Sequence, residues 1–290
     1  MDGLSNIGTI KEILTRHGFK FSKSMGQNFI INPSICPKMA TMCGAKKGVG
    51  VLEIGPGIGV LTNELCKNAD KVVSIELDKR LIPVLAETMA EHKNLKLINC
   101  DVMEANLQEI IEQEFGSLDV VVCANLPYYI TSPIIMRLLE EKLPIKSITV
   151  MVQKEAADRL TAEVGSRNSG AVTVAVAYYS NPQLLFNVSR GSFMPSPNVD
   201  SAVIKLDIAE NSKVSVKKES DFRRVVKAGF SQRRKTLSNS LSSGLGIPKD
   251  KANMLIEKAN LTASVRAEKL SLDDFGRLAD CLTEYENEEI

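Results

Sequence analysis

The chain has 290 residues, 44% hydrophobic and 24% charged, a composition typical of a globular protein with a substantial core. Lysine plus arginine (36) nearly balance aspartate plus glutamate (35), so net charge alone indicates no nucleic-acid partner. No apolar run reaches the ~20 residues of a membrane span, no signal-peptide layout is present, and six scattered cysteines exclude a disulfide framework or clustered zinc site. We therefore expect a cytoplasmic, metal-free, monomeric protein without a membrane partner.

Between residues 49 and 206 short β-branched runs alternate with helical patterns. Five runs are nearly all apolar, as buried strands are: 51–55, 71–77, 95–101, 119–126 and 147–153. Such strands, separated by helices, are typical of a parallel sheet covered on both faces. The later runs at 171–180 and 201–208 predict two further strands at the far edge. The predicted fold class is therefore α/β, with a mostly parallel sheet and helices on both faces.

Three glycines follow the first predicted strand and precede a helix: Gly55, Gly57 and Gly59. Glycine lets the backbone turn tightly and approach a ligand at the carboxyl edge of the sheet. The dinucleotide fingerprint G-x-G-x-x-G is not met, because Val60 or Thr62 stands where its third glycine would be. An acidic residue before the glycines, Glu53, also fits a nucleoside cofactor better than a nicotinamide dinucleotide.

Two acidic residues stand at the ends of the next two predicted strands. Glu76 follows the glycines by about 20 residues, where a carboxylate can accept hydrogen bonds from both ribose hydroxyls. Asp101 ends the third strand in the same way, and we expect it near the adenine ring of the cofactor. Glu76 could instead be an ordinary surface residue, but features repeated at successive strand ends favour a binding site.

The fourth predicted strand ends in Asn125, Leu126, Pro127 and Tyr128. An exocyclic amino nitrogen is a poor nucleophile, and two acceptors aimed at its hydrogens favour the geometry in which its lone pair can attack. The Asn125 side-chain oxygen and the Leu126 carbonyl can be these acceptors, and Tyr128 can stack on a base that has left its helix. The segment could also be a plain turn with buried tyrosines. Phe193 is a candidate for the opposite face of the base, or else a hydrophobic plug under a proline-rich loop.

After residue 209 the pattern changes to helix and turn, which predicts domains at 1–209 and 210–290 with a boundary near 209–212. A basic helix is expected over 221–243. Within 222–235 no acidic residue accompanies the six cations Arg223, Arg224, Lys227, Arg233, Arg234 and Lys235. Such a run is either a solvated helix face or a stripe that contacts phosphates.

Six separated motifs resemble, in order and spacing, those of the KsgA/RsmA family of ribosomal RNA adenine dimethyltransferases. They are SMGQNFIINP, LEIGPGIGVLT, ANLPYYITSPII, MVQKEAADRL, FMPSPNVDSAVIKL and GFSQRRKTLSNSL, and the match covers nearly the whole chain, from about residue 20 to 245. The resemblance implies a Rossmann-like class I methyltransferase domain with an N-terminal helical segment, followed by a small all-helical domain that contacts RNA or the ribosome.

The resemblance also implies a reaction, a cofactor and a set of site residues. The expected activity is dimethylation of two adjacent adenosines in a hairpin near the 3′ end of small-subunit (16S) ribosomal RNA within a pre-assembled subunit, with a role in its biogenesis. S-adenosylmethionine is the donor and S-adenosylhomocysteine the product. Cofactor contacts are expected from Asn28, Ile30, Gly55, Glu76, Asp101 and Asn125, with Gln27 ordering its segment. The one departure is Ile30, where leucine is more usual.

Several alternatives have different activities. An Erm-type enzyme would methylate large-subunit RNA and confer macrolide resistance, but the RRKTLSNSL motif is closer to the KsgA family. A relative that only binds nucleic acid, such as a mitochondrial transcription factor, is disfavoured by the lack of a transit-like presequence. A DNA adenine methyltransferase would need a larger target-recognition region, and a nicotinamide dehydrogenase would need the missing glycine.

Overall fold

The structure is a computed structural model that describes residues 4–19, 28–232 and 234–288. The predicted roles of Gln27 and Arg233 therefore lie outside the described residues. The chain divides into two compact units, Met1–Ala157 with Gln183–Ile208, and Asp158–Pro182 with Ala209–Ile290. Within the described ranges, no helix combines the length and the apolar character that crossing a membrane requires.

A sheet of seven strands forms the core of the described fold. Its strands are β2 (Val49–Ile54), β3 (Lys71–Glu76), β4 (Leu95–Asn99), β5 (Asp119–Asn125), β6 (Ser147–Gln153), β7 (Ser180–Val188) and β9 (Ser201–Ile208). The helices between them are α3 (Val60–Asn68), α4 (Ile82–Thr88), α5 (Leu107–Phe115) and α6 (Thr131–Glu140), preceded by α1 (Ile7–Arg16) and α2 (Ile35–Met42). Strands β2, β5 and β6 are buried along nearly their whole length, as their apolar sequences predict.

The strand order is β4-β3-β2-β5-β6-β9-β7, and the first five of these strands are parallel to their neighbours. Strand β9 runs antiparallel to β6, with Val150 opposite Ile204. The chain leaves β2 toward β3 on one side, and β5 lies on the other side. The order of the sheet therefore reverses between β2 and β5, which is where ligands bind in open α/β sheets.

A second, two-stranded sheet joins two distant parts of the sequence. Strand β1 (Phe29–Ile30) pairs antiparallel with β8 (Phe193–Met194), so that Ile30 lies opposite Phe193. The pairing continues where the Ile31 amide donates to the Ser192 carbonyl at 2.8 Å. The two motifs around residues 28 and 193 are therefore held together by backbone hydrogen bonds.

The prediction of a strand at 171–180 is wrong. Residues Ala171–Tyr179 form helix α8, which follows α7 (Lys154–Leu160), and strand β7 begins only at Ser180. Most of α8 is buried, so its apolar residues show no helical period, and periodicity alone cannot separate such a helix from a buried strand. Tyr178 stacks on Phe222 with ring centroids 4.2 Å apart, which explains why α8 belongs to the same compact unit as the C-terminal residues.

The prediction of one basic helix over 221–243 is also wrong. The C-terminal residues form α9 (Glu219–Gly229), α10 (Leu237–Leu245), α11 (Lys249–Lys258) and α12 (Leu272–Glu288), and a turn separates α9 from α10. The Ser231 hydroxyl donates to the Ala228 carbonyl at 2.7 Å where α9 ends. A Cβ on Gly244 would lie 2.5 Å from the Ala228 Cα, so the two helices cross too closely for any other residue there. This close crossing requires the chain to fold back after α9.

Candidate active site

A cleft opens at the carboxyl edge of the sheet, where the loops after β2, β3, β4 and β5 converge. Its empty volume is about 1120 Å³ with the open mouth included. Ten of the predicted site residues line it: Asn28, Ile30, Gly55, Gly57, Glu76, Asp101, Asn125, Leu126, Pro127 and Tyr128. The strand topology therefore brings together segments separated by up to about 100 residues of sequence.

The glycine loop after β2 has a left-handed backbone at each of its three glycines. Gly55 has φ 69°, Gly57 φ 62° and Gly59 φ 92°, values that other residues adopt with strain. A Cβ on Gly57 would lie 3.2 Å from the Phe29 ring, so this loop also packs closely against β1. Gly59 precedes the first residue of α3 and is not among the residues that line the cleft.

Glu76 ties the glycine loop to the end of β3. Its Oε2 accepts a hydrogen bond from the Gly57 amide at 3.2 Å, and its Oε1 accepts one from the Asp78 amide at 2.8 Å. Burial raises the pKa of Glu76, and these two amide bonds oppose that shift. A carboxylate has about four lone-pair sites, so Glu76 can still accept hydroxyl groups from a ligand.

Asp101 lies at the start of a turn that is held by hydrogen bonds from a side chain of α6. The Asp101 carboxylate accepts from the Met103 amide at 2.8 Å. The Arg137 guanidinium of α6 donates to the carbonyls of Val102 and Ala105, the latter at 2.6 Å. Arg137 thus connects the turn that carries Asp101 to the helix that follows the Asn-Leu-Pro-Tyr segment. Nothing in the sequence pattern singled out this arginine.

Asn125 is the last residue of β5 and is partly buried. Its Nδ2 donates to the Asn28 carbonyl at 3.5 Å, an arrangement that turns the Oδ1 atom away from that contact. The Leu126 amide donates to the Met151 carbonyl at 3.2 Å, which keeps the backbone of this residue in line with β6. Leu126 is 1% exposed, so its buried side chain anchors the segment, and the residue is part of the cleft lining.

Tyr128 is held by a residue that the sequence analysis missed. Its hydroxyl lies 2.6 Å from the Ser201 hydroxyl at the start of β9. The Pro127 carbonyl accepts from the Ile130 amide at 3.2 Å and from the Thr131 hydroxyl at 3.1 Å, which closes the turn around the tyrosine. Burial raises the pKa of the Tyr128 phenol, and the bond to Ser201 opposes that shift. The ring is therefore neutral and fixed in place.

Phe193 is buried in the core, and its predicted role on the opposite face of the base stays a prediction. It is 3% exposed, pairs with Ile30 across the small sheet, and belongs to the hydrophobic core beside Met39 and Val51. It is not among the residues that line the cleft. In this conformation Phe193 has the position of a hydrophobic plug that supports β1.

Glu53 also lines the cleft, although the sequence analysis assigned it no contact. It is 1% exposed, and its Oε2 accepts hydrogen bonds from the Ser74 hydroxyl at 2.6 Å and the Thr62 hydroxyl at 2.7 Å. Its Oε1 is buried without a hydrogen-bond partner. Burial raises the pKa of Glu53 to about 7. The position before the glycines was the only signal in the sequence.

The basic residues of the C-terminal unit fall into two groups. Arg224 donates to both carboxylate oxygens of Glu286, at 2.8 and 2.7 Å, and to Asp221 at 3.0 Å, so its charge is used within the fold. Arg223 donates to the Tyr179 hydroxyl at 3.2 Å. Lys227 on α9, and Arg234 and Lys235 in the turn before α10, are exposed and form no ion pair with the described residues.

The lining of the cleft fits a nucleoside cofactor with a cationic group. A carboxylate at the end of β3 and another after β4 can bind hydroxyl and amino groups, and the glycine loop permits close approach of the backbone. Among the described lining residues every charged side chain is acidic, which favours a positive charge over a pyrophosphate. Beside them stands an amide with a neighbouring carbonyl, which can bind an amino group.

Comparisons with known proteins agree with this geometry. A family model described as ribosomal RNA adenine dimethylase matches residues 18–284. The ribosomal RNA small subunit methyltransferase A of Alkaliphilus oremlandii is 45% identical over 283 residues, which cover 97% of this chain and 99% of that protein. A dimethyladenosine transferase from Plasmodium falciparum superposes with a TM-score of 0.73 at 29% identity, covering 90% of this chain and 98% of that one.

The structure of the 23S rRNA methyltransferase ErmE superposes with a TM-score of 0.64 at 24% identity, covering 88% of this chain and 100% of that one. At this level of identity the likeness shows a shared fold. The family match, in contrast, extends over both units of the chain and includes every described residue of the cleft. The chain therefore belongs to the ribosomal RNA adenine dimethylase family, which confirms the prediction of an rRNA adenine dimethyltransferase.

Proposed function

We propose that this chain transfers methyl groups from S-adenosylmethionine to the exocyclic amino nitrogens of two adjacent adenosines, in a hairpin near the 3′ end of small-subunit ribosomal RNA. The observation that carries the proposal is that the segment 125–128 lines the same cleft as the glycine loop and Glu76. A site for an amino group thus lies beside a site for a nucleoside. The names of the 45% identical relatives support the choice of small-subunit RNA.

Cofactor contacts come from the residues that converge after the parallel strands. They are Asn28, Ile30, Gly55, Gly57, Glu76, Asp101 and Asn125. Glu76 binds the ribose hydroxyls, and Asp101 lies beside the adenine. When bound, S-adenosylmethionine supplies a methyl group already activated by a sulfonium, so the work of the protein is positioning and exclusion of water.

The amino group of the target adenine is bound by two acceptors on consecutive residues. The Oδ1 of Asn125 accepts one of its hydrogens, and the carbonyl of Leu126 accepts the other. Because the Nδ2 of Asn125 donates to the Asn28 carbonyl, its Oδ1 is left available to accept from the amine. Both acceptors draw the nitrogen toward the tetrahedral geometry in which its lone pair is free to attack.

Tyr128 forms one face of the base pocket. Its ring is fixed by the bond to Ser201, so stacking on an extruded base costs little additional ordering. Such stacking contributes roughly 1–3 kcal/mol per base. Phe193 can form the opposite face only if it leaves the core position it has here, and otherwise it acts through β1 and Ile30.

The exposed cations of the C-terminal unit supply the sequence-independent part of RNA binding. Lys227, Arg234 and Lys235 are free to pair with phosphates, whereas Arg224 is held by Glu286. The substrate is an RNA folded within a pre-assembled small subunit. The chain acts on it as a monomer in the cytoplasm, and the modification contributes to biogenesis of the subunit. An Erm-type activity on large-subunit RNA is less favoured, since ErmE shares only 24% identity.

The test is transfer of labelled methyl groups from S-adenosylmethionine to purified ribosomal particles. Small subunits, large subunits and protein-free small-subunit RNA are compared, all from cells that lack the enzyme, and dimethyladenosine is mapped by mass spectrometry. We expect two dimethyladenosines in one hairpin of the small subunit and four methyl groups per particle. Exclusive labelling of large-subunit RNA would show that the substrate is that of an Erm-type enzyme.

A further inference from the structure

The carboxyl group of Glu53 is buried beside the proposed cofactor site, and none of the described residues supplies it with a counter-charge. It is 1% exposed, and the ion pairs formed by the described residues do not include it. Two hydroxyl groups donate to Oε2, but Oε1 has no hydrogen-bond partner. An ionised carboxylate in such surroundings is unstable, and it either takes up a proton or needs a cation nearby.

The groups that face Glu53 from each neighbouring element are neutral or acidic. They are Thr62 and Cys66 on α3, Ser74 and Glu76 on β3, Cys36 on α2 and Cys123 on β5. Burial raises the pKa of the thiols of Cys36 and Cys66, and a hydrogen bond with Cys43, together with burial, raises that of Cys123, so these thiols stay uncharged. Positive charge near Glu53 can therefore come from a ligand in the cleft that the same residue lines.

We propose that Glu53 is a positioning and specificity residue that gives up a proton when the sulfonium cofactor binds, so that the pocket prefers the cationic donor to its uncharged thioether product. The proposal rests on the proposed cofactor. The proton passes from the carboxyl group to the buffer, and the resulting carboxylate remains bonded to Thr62 and Ser74. Four transfers per substrate require S-adenosylhomocysteine to leave after each transfer. Each transfer converts the sulfonium into an uncharged thioether, so the Glu53 carboxylate loses its cation, and this favours replacement of the product by a new donor.

The expected proton release follows from the burial of this acid. With a pKa of about 7, Glu53 is about half protonated at pH 7 in the free protein. A cation nearby lowers the pKa of a carboxyl group by roughly 1–3 units. Binding of S-adenosylmethionine at pH 7 should thus release up to about half a proton. Its affinity should rise relative to that of S-adenosylhomocysteine as pH increases from 6 to 8.

The experiment is isothermal titration calorimetry of the full-length protein with both ligands, in buffers of different ionisation enthalpy. The two ligands share an α-amino group that also titrates near neutral pH, so their difference isolates the effect of the sulfonium. We expect the buffer dependence to be larger for S-adenosylmethionine. In Glu53→Gln that excess should vanish and the preference for the donor over the product should fall roughly tenfold, the effect of one unit of pKa.

The matched control is Glu64→Gln, which removes a carboxylate on the neighbouring helix α3 that pairs with Lys67. It should keep the proton release of the unmodified protein. Difference infrared spectroscopy of the unmodified protein should also show loss of a protonated carboxylic-acid band on donor binding, a measurement that requires no variant. Equal buffer dependence for both ligands, or a Glu53→Gln variant that still releases the proton, would overturn the inference. Absence of any donor binding would instead contradict the proposed function.

Discussion

The cleft of the sheet unit has buried ionisable groups, whereas the unpaired basic residues described in the C-terminal unit are exposed to solvent. In the cleft, Glu53 and Glu76 are 1% and 6% exposed and are held by hydroxyl or amide donors on neighbouring elements. In the C-terminal unit, Lys227, Arg234 and Lys235 are exposed and have no ion-pair partner among the described residues. Both regions bind ligands in the proposed function, but only in the cleft are the ionisable groups buried in the protein interior.

The difference shows what each kind of charge can do. A buried charge costs several kcal/mol unless it is compensated, so its presence at a strand end is informative and its position is precise. An exposed charge costs little and is screened within about 10 Å at ordinary salt, so it contributes attraction without fixing geometry. We therefore expect changes in the cleft to affect chemistry strongly, and changes on α9 and the turn after it to affect RNA affinity mildly.

The largest effect is expected for Asn125→Ala. Removing a single group that acts on the reacting atoms costs about 10²–10³-fold in turnover in comparable sites. We expect a loss of this size in single-turnover methyl transfer, while the calorimetric affinity for S-adenosylmethionine changes by no more than about threefold, since that ligand has many other contacts. Asn68→Ala, an exposed asparagine at the end of α3, is the control. Normal turnover in Asn125→Ala would remove this residue from the chemistry.

The next effect concerns stability and tests the cost of burying Glu53. Its pKa of about 7 lies above the ordinary value of 4.5, so between these pH values the folded chain keeps a proton that the unfolded chain has lost. The free energy of unfolding should then fall as pH rises from about 5 to 8, by about 2 kcal/mol for this group. In Glu53→Gln, the free energy of unfolding measured by denaturation without ligand should lack this part of the decrease with pH. Parallel pH profiles for both proteins would contradict it.

A smaller effect is expected at Tyr128. Tyr128→Ala removes the stacking ring and should lower kcat/KM for the RNA by about 5–150-fold, which corresponds to roughly 1–3 kcal/mol. Tyr128→Phe keeps the ring and loses only the bond to Ser201, so a few-fold decrease is expected. Ser201→Ala removes the same bond from the other side. The effects of Tyr128→Phe and Ser201→Ala should therefore not add in the double variant, whereas additive losses would mean that the bond is irrelevant.

The sheet could be predicted from the sequence because its strands are buried on both faces. Residues 51–55, 119–126 and 147–153 are almost continuously apolar, and each became a strand within one or two residues of the expected bounds. The same rule produced the error at 171–180, since a helix buried on every side has the same pattern. What decided between them was packing of Tyr178 on Phe222, a contact distant in sequence.

The cleft was also predictable, because parallel strands all have their carboxyl ends at the same edge of the sheet, and the predicted site residues follow those ends. Side-chain partners were not. Ser201 is 73 residues from Tyr128, and Arg137 is 35 residues from Val102, so no local spacing indicates either contact. For the basic segment the sequence gives only composition, and the division between Arg224 and the exposed cations depends on where α12 ends and presents Glu286.

The smallest effects are expected in the basic segment, where single changes separate the two kinds of cation. Lys227→Gln and Lys235→Gln should each weaken RNA binding a few-fold and reduce the slope of log affinity against log salt by about 0.7–0.9, because each removes one phosphate contact. Arg224→Gln should leave that slope unchanged, since its guanidinium is already paired with Glu286. Fluorescence anisotropy of a labelled RNA hairpin at several salt concentrations measures both quantities.

Arg224→Gln should instead lower the stability of the C-terminal unit. Its outer pair with Glu286 contributes no more than about 1 kcal/mol, because both partners are partly exposed and solvent screens them, and the loss of its bond to the buried Asp221 adds to that. Glu286→Gln should have a smaller effect, since it leaves the bond between Arg224 and Asp221 intact, and the double variant should lose little more than Arg224→Gln, because the two residues share the outer pair. If Arg224→Gln reduced the salt slope as much as Lys227→Gln does, the ion pair would have to open when RNA binds. Paired Arg224 and unpaired Lys227 would then both contact RNA phosphates, although of the two only Lys227 lacks an ion pair among the described residues.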